Sequence, residues 1–61
     1  MFEIFHPSFG ALVGFLCGRP LWSHLDGGAP QTFEGAPAAR SVIADLPIGS
    51  ERQFCQPVPV R

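Results

Sequence analysis

Residues 9–18 read FGALVGFLCG and form the longest uninterrupted apolar stretch of this 61-residue chain. Pro7 and Ser8 come directly before it, and both residue types favour a helix start, since proline fits the first turn and serine caps it. Gly18 fits a helix end, because glycine readily adopts the left-handed conformation that follows a last turn. The stretch therefore predicts one short apolar α-helix over about residues 7–18.

A helix of this composition is apolar on nearly every side, so it must be buried in something. Its uninterrupted part is about 15 Å long, half of a hydrocarbon core of about 30 Å. We therefore expect shallow insertion into a membrane surface, or docking in a hydrophobic groove of a larger protein partner, rather than a full span. The expected contact residues are Phe9, Leu12, Val13, Phe15, Leu16 and Trp22.

Glycine recurs at every fourth position of the predicted helix, at Gly10, Gly14 and Gly18. On a helix these three residues form one smooth stripe, along which a second helix in lipid approaches closely. Outside lipid the same glycines cost about 2–3 kcal/mol of helix propensity. The stripe is therefore a hypothesis for helix pairing.

Seven glycines and seven prolines divide the rest of the chain into short pieces. Because a proline inside a helix costs about 3 kcal/mol, we expect no long helix there. The chain divides into an apolar segment with the short helix at 1–22, a Gly/Pro/Ala-rich linker at 23–39 and a weakly structured tail at 40–61. Residues 41–46 favour a short helical turn or a strand, and the Pro-Val alternation at the end favours polyproline II. The predicted fold class is a mostly irregular, disordered chain with one N-terminal α-helix.

The charges exclude one class of partner. The net charge is −1, and the four basic residues, all arginines, are spread along the chain. Binding to phosphate backbones needs several clustered cations, so we predict no nucleic-acid partner.

The residues that carry chemistry are too scattered to predict a reaction. Cys17 and Cys55 permit at most one disulfide, and the nearest cysteine–histidine pair, Cys17 and His24, lacks the short spacing of zinc ligands. A nucleophile also needs a rigid scaffold and a base beside it, which a chain rich in helix breakers offers poorly. We therefore predict no enzyme, no metal, no cofactor and no small-molecule substrate.

These observations favour a small non-enzymatic accessory protein whose apolar N-terminal segment docks on a membrane or in a partner's groove. Two alternatives stay open. One is the poorly structured product of a small open reading frame without a selected biochemical activity. The other is a soluble or secreted mini-domain with a Cys17–Cys55 bridge.

Overall fold

The apolar stretch at residues 9–18 forms a β-strand and a tight turn in the computed structural model of the chain. Strand β2 covers Gly10–Leu16, and strand β3 returns antiparallel to it over Arg19–Trp22. The two turn residues between them, Cys17 and Gly18, both have positive φ, 52° and 77°, which marks the type I′ turn of two-residue hairpins. The predicted helix over residues 7–18 is therefore wrong.

The physical reason is that the residues in this stretch have low helix propensity. Each glycine inside a helix costs about 1 kcal/mol relative to alanine, whereas valine and phenylalanine are enriched in strands. A two-residue turn with glycine in second place then closes the hairpin at low cost. The glycine stripe is wrong for the same reason, because Gly10 and Gly14 belong to a strand and Gly18 to its turn.

The structure describes residues 1–46 and 50–60, and these form a four-stranded antiparallel sheet with short helices. The strand order is β3-β2-β1-β4. In chain order the elements are β1 at Phe2–His6, β2 at Gly10–Leu16, β3 at Arg19–Trp22, α1 at Ser23–Asp26, α2 at Ala36–Ala44, α3 at Ser50–Phe54 and β4 at Gln56–Pro59. The predicted disorder is therefore wrong.

The core lies between one face of the sheet and helix α2. Ile4, Leu12 and Trp22 from three strands meet Ala39 of α2 and Leu46 just after it, and all five are buried. The half-buried apolar residues around this cluster are Phe2, Phe9, Phe33, Val42, Ile43 and Cys55. A domain of this size buries a small core, so these few side chains supply most of its hydrophobic stabilisation.

The predicted linker is an ordered part of the fold. Strands β1 and β2 pair only near their turn, and a bulge at Val13 shifts the register of β2. Phe33 lies beside the start of β1, where it exchanges two backbone hydrogen bonds of 2.8 and 2.7 Å with Phe2. The Gln31 N–H donates to the carbonyl of Leu12 at 2.9 Å. Residues 31–33 thus bond to both strands where these no longer pair with each other.

The expected tail is also largely regular structure. Helix α2 begins at Ala36, with Pro37 in its first turn where no intrahelical N–H bond is lost, and it ends at Ala44. It therefore contains residues 41–44 of the segment predicted as a turn or strand, and residues 47–49 lie outside the described residues. The Pro-Val end forms edge strand β4 against β1, not polyproline II.

The expectation of membrane association rested on an apolar N-terminal helix, and this expectation is wrong. The residues in question form sheet, and Leu12, in the middle of the apolar run, is fully buried in the protein's own core. Within residues 1–46 and 50–60, no helix has the length and apolar character needed to cross a bilayer.

Candidate functional site

Helix α1 is held against the start of β2 by its own first residues. Ser23 Oγ accepts the Ala11 N–H at 3.0 Å, and the His24 N–H donates to the carbonyl of Phe9 at 3.0 Å. Gly10 lies under these two residues with φ +84°, and a Cβ there would meet Ser23 Oγ and lie 2.8 Å from His24 Cδ2. Glycine is therefore required at this position both by its backbone angle and by the close approach of α1.

A cavity of about 300 Å³ lies between β3 and α1. Its lining consists of Arg19, Pro20, Trp22, Leu25 and Asp26. The Asp26 carboxylate accepts the Trp22 backbone N–H through Oδ2 at 2.9 Å, so one charged wall of the cavity is fixed by a hydrogen bond. The cavity is open to solvent on one side, two of its five lining residues are charged, and its volume is at the lower end of the range for small-ligand sites.

The tip of the β2–β3 hairpin is an apolar surface exposed to solvent. Phe15 is 46 % exposed and Leu16 is 63 % exposed, and Cys17 beside them in the turn is exposed as well. Leu16 pairs across the hairpin with Arg19, which also lines the cavity. The hairpin tip, Phe15–Arg19, and the cavity therefore share Arg19.

A buried histidine organises the ring cluster under this region. His6 Nδ1 accepts the backbone N–H groups of Ser8 at 3.0 Å and Phe9 at 3.3 Å, and its ring stacks on Phe9 with centroids 4.2 Å apart. The rings of Trp22 and Phe54 lie 5.9 and 6.0 Å from it. Both donors are backbone amides, so Nδ1 acts as a hydrogen-bond acceptor in this arrangement. The imidazole shapes the β1–β2 turn and fills the core, which is a structural role.

The structure divides the predicted contact residues into three groups. Leu12 and Trp22 are buried in the core and cannot touch a partner with most of their surface. Phe9 and Val13 are half-buried, and only Phe15 and Leu16 stand out into solvent. The split follows position along the hairpin, because Leu12 lies in the core with Ala39 of α2, whereas Phe15 and Leu16 lie next to the turn at the tip.

Sequence reasoning missed the cavity residues Arg19, Leu25 and Asp26. No spacing signal joins them, because Leu25 and Asp26 of α1 lie beside Arg19 of β3 through tertiary structure.

The described residues hold no group of three or more metal-ligating side chains. No disulfide joins the two cysteines: Cys17 is exposed at the hairpin tip, and Cys55 is half-buried against the core. The bridge of the mini-domain alternative is thus not formed in this structure.

No protein-family model, no curated protein and no solved structure matches the chain. Its fold and its candidate site therefore define its class: a small antiparallel sheet domain with one helix packed on its core face, an apolar hairpin tip and an adjoining cavity with two charged walls.

Proposed function

We propose that the chain is a non-enzymatic accessory protein that docks on a larger protein partner through the tip of its β2–β3 hairpin. The observation that carries the proposal is the exposure of Phe15 and Leu16, at 46 % and 63 %, at the tip of the hairpin, whereas Ile4 and Leu12 in the two central strands are fully buried. A rigid hairpin presents such residues at low entropic cost, because their backbone is already ordered before binding.

The neighbourhood of the two apolar residues indicates the chemistry of the partner surface. Arg19 lies directly across the hairpin from Leu16, and no ion pair engages it in the described part of the chain. The hairpin tip therefore combines an apolar pair with one available cation. We infer a partner groove that is apolar at its centre and carries a carboxylate at its rim, where complementary charge adds orientation and a faster encounter.

The test is site-specific photocrosslinking in the cells that make the protein. A benzoylphenylalanine probe replaces Leu16, and a matched probe replaces Ala38, which is exposed on α2 away from the hairpin. We expect a discrete crosslinked protein from position 16 and none of the same mass from position 38. Adding Phe15→Ser to the position-16 probe should abolish the adduct, and Arg19→Glu should weaken it.

The backbone-amide NMR spectrum of each variant is recorded first to check that it folds, because loss of an adduct is informative only for a folded protein. No discrete adduct from position 16, or an equal adduct from position 38, contradicts docking through the hairpin tip. An adduct that survives Phe15→Ser contradicts the role of the apolar pair.

A further inference from the structure

The cavity between β3 and α1 combines apolar walls with one cation and one anion. Pro20, Trp22 and Leu25 provide the apolar lining, while Arg19 and Asp26 provide the charges. Trp22 is only 2 % exposed, so it forms a rigid floor, and Leu25 is 63 % exposed and stands at the mouth. A ligand entering here covers Leu25 and contacts the remaining surface of the indole.

The two charged side chains line the same cavity without pairing with each other. No ion pair joins Arg19 to Asp26, and neither has an ion pair with any other part of the chain that the structure describes. Asp26 uses Oδ2 to accept the Trp22 N–H, which leaves Oδ1 available for a ligand. The cavity thus holds a guanidinium and a carboxylate oxygen that do not form an ion pair with each other.

We propose that this cavity binds a free α-amino acid with an apolar side chain. The Arg19 guanidinium binds the α-carboxylate, since its planar donors match a carboxylate in a two-bond geometry. The Asp26 carboxylate accepts from the α-ammonium group, and the apolar side chain of the ligand packs against Trp22, Pro20 and Leu25. A cavity of about 300 Å³ suits a ligand of this size.

A zwitterion fits this charge pattern better than a ligand with one charge. A carboxylic acid would leave the Asp26 carboxylate beside an anion, and an amine would leave the Arg19 guanidinium beside a cation, and like charges placed side by side repel each other. A peptide terminus supplies only one of the two charges. The inference does not rest on docking through the hairpin tip, because the cavity belongs to the isolated chain.

The test is a titration of the full chain with L-leucine, N-acetyl-L-leucine and L-leucinamide, followed by NMR chemical shifts of the backbone amides. The two analogues keep the side chain and remove the positive and the negative charge in turn. We expect saturable shifts at residues 19–26 with L-leucine, and affinity lower by about tenfold or more for each analogue, since a hydrogen bond between charged groups contributes that much.

Two substitutions assign each charge to its partner. Asp26→Asn removes the negative charge but keeps an oxygen for the Trp22 N–H, so the fold is preserved, and Arg19→Gln removes the positive charge at an exposed position. We expect Asp26→Asn to abolish the preference for L-leucine over N-acetyl-L-leucine. Arg19→Gln should abolish the preference over L-leucinamide, and the control Arg40→Gln, on the exposed side of α2, should change neither.

Several results overturn the proposal. No saturable shift with L-leucine up to its solubility means that the cavity does not take this ligand. Equal binding of N-acetyl-L-leucine identifies a peptide carboxyl terminus instead, and equal binding of L-leucinamide identifies an amine. Unchanged preferences in folded Asp26→Asn and Arg19→Gln variants place the ligand elsewhere. These results leave the crosslinking test of the hairpin untouched, so the two proposals fail separately.

Discussion

The backbone N–H of Trp22 donates a 2.9 Å hydrogen bond to Oδ2 of Asp26, four residues further along the chain. Trp22 ends edge strand β3, and Pro20 lies two residues before it. Because Arg19 closes the hairpin opposite Leu16, the backbone of Pro20 faces away from β2, where proline has no N–H to offer. The outer side of β3 therefore offers no free N–H at either residue 20 or residue 22.

Prolines also remove the outward N–H groups from β4, the strand at the opposite edge of the sheet. The Val60 N–H donates to the carbonyl of Met1 at 2.8 Å, so the N–H groups of alternate residues along this end of the chain point towards β1. Pro57 and Pro59 occupy the positions between them, where an N–H would point outwards. Natural sheets use proline on edge strands to prevent pairing with another chain.

Opening the β4 edge should make the protein associate. We expect the double substitution Pro57→Val and Pro59→Val to give concentration-dependent oligomers, because it places two outward N–H groups on a flat edge strand. Sedimentation velocity from micromolar to millimolar concentration measures this. The matched control is Val58→Thr, whose N–H already points inwards, and oligomers in this control but not in the double variant would contradict the edge argument.

Removing the carboxylate that caps the other edge should cost stability. Asp26→Ala leaves the Trp22 N–H without its charged acceptor, so we expect a loss of about 1 kcal/mol in the free energy of unfolding. Urea denaturation measures the loss, and Asp26→Asn, which keeps an acceptor oxygen, should stay within about 0.5 kcal/mol of the wild type. Equal losses in both variants would show that charge, not the hydrogen bond, is what matters.

The two glycines of β2 should differ sharply in their tolerance of alanine. At Gly10 a Cβ collides with α1 and φ is +84°, so Gly10→Ala should destabilise the fold by about 3 kcal/mol. At Gly14 nothing lies within 4 Å of the added Cβ, so Gly14→Ala should leave stability unchanged or raise it by up to about 1 kcal/mol. Similar losses at both positions would contradict the seating of α1 on Gly10.

The position of the apolar element could be predicted from the residues on either side of it, but its secondary structure could not. Residues 7–8 and Gly18 lie in the turns on either side of β2, not at the ends of a helix as predicted. An apolar run of about ten residues, however, fits a buried helix or a strand equally well by periodicity alone. The decision comes from the Cys17-Gly18 turn and from the partners of β2, which are distant in sequence.

The secondary structure of the C-terminal Pro-Val alternation also could not be decided from the sequence alone. Polyproline II and extended strand conformations have similar dihedral angles, so the sequence Pro57-Val-Pro59 suits both. Only the presence of β1 alongside turns the alternation into an edge strand with its prolines outwards. The cavity at β3 was beyond prediction for a related reason, since it needs Leu25 and Arg19 brought together by tertiary structure.

The buried His6 should stabilise the fold through two separable interactions, the hydrogen bonds to Nδ1 and the packing of its ring. His6→Phe keeps a stacking ring but removes the acceptor of the Ser8 and Phe9 amides, and we expect a loss of about 2 kcal/mol. His6→Asn keeps an acceptor and removes the ring. Amide hydrogen exchange at residues 8 and 9 should accelerate more in the phenylalanine variant than in the asparagine variant. The reverse order would mean that ring packing alone holds the β1–β2 turn.

Cys17 should be replaceable with a gain in stability. It has φ +52°, a conformation that asparagine tolerates well, and asparagine followed by glycine is the preferred pair for a type I′ turn. We expect Cys17→Asn to raise the free energy of unfolding by about 0.5–1 kcal/mol, measured by urea denaturation under reducing conditions. Cys17→Ala removes the thiol without relieving the backbone, so it should give no gain. Gly18→Ala, where φ is +77° and no atom lies within 4 Å of the new Cβ, should lose about 1 kcal/mol from backbone strain alone. A gain from alanine at residue 17 would assign the effect to the thiol instead of the turn.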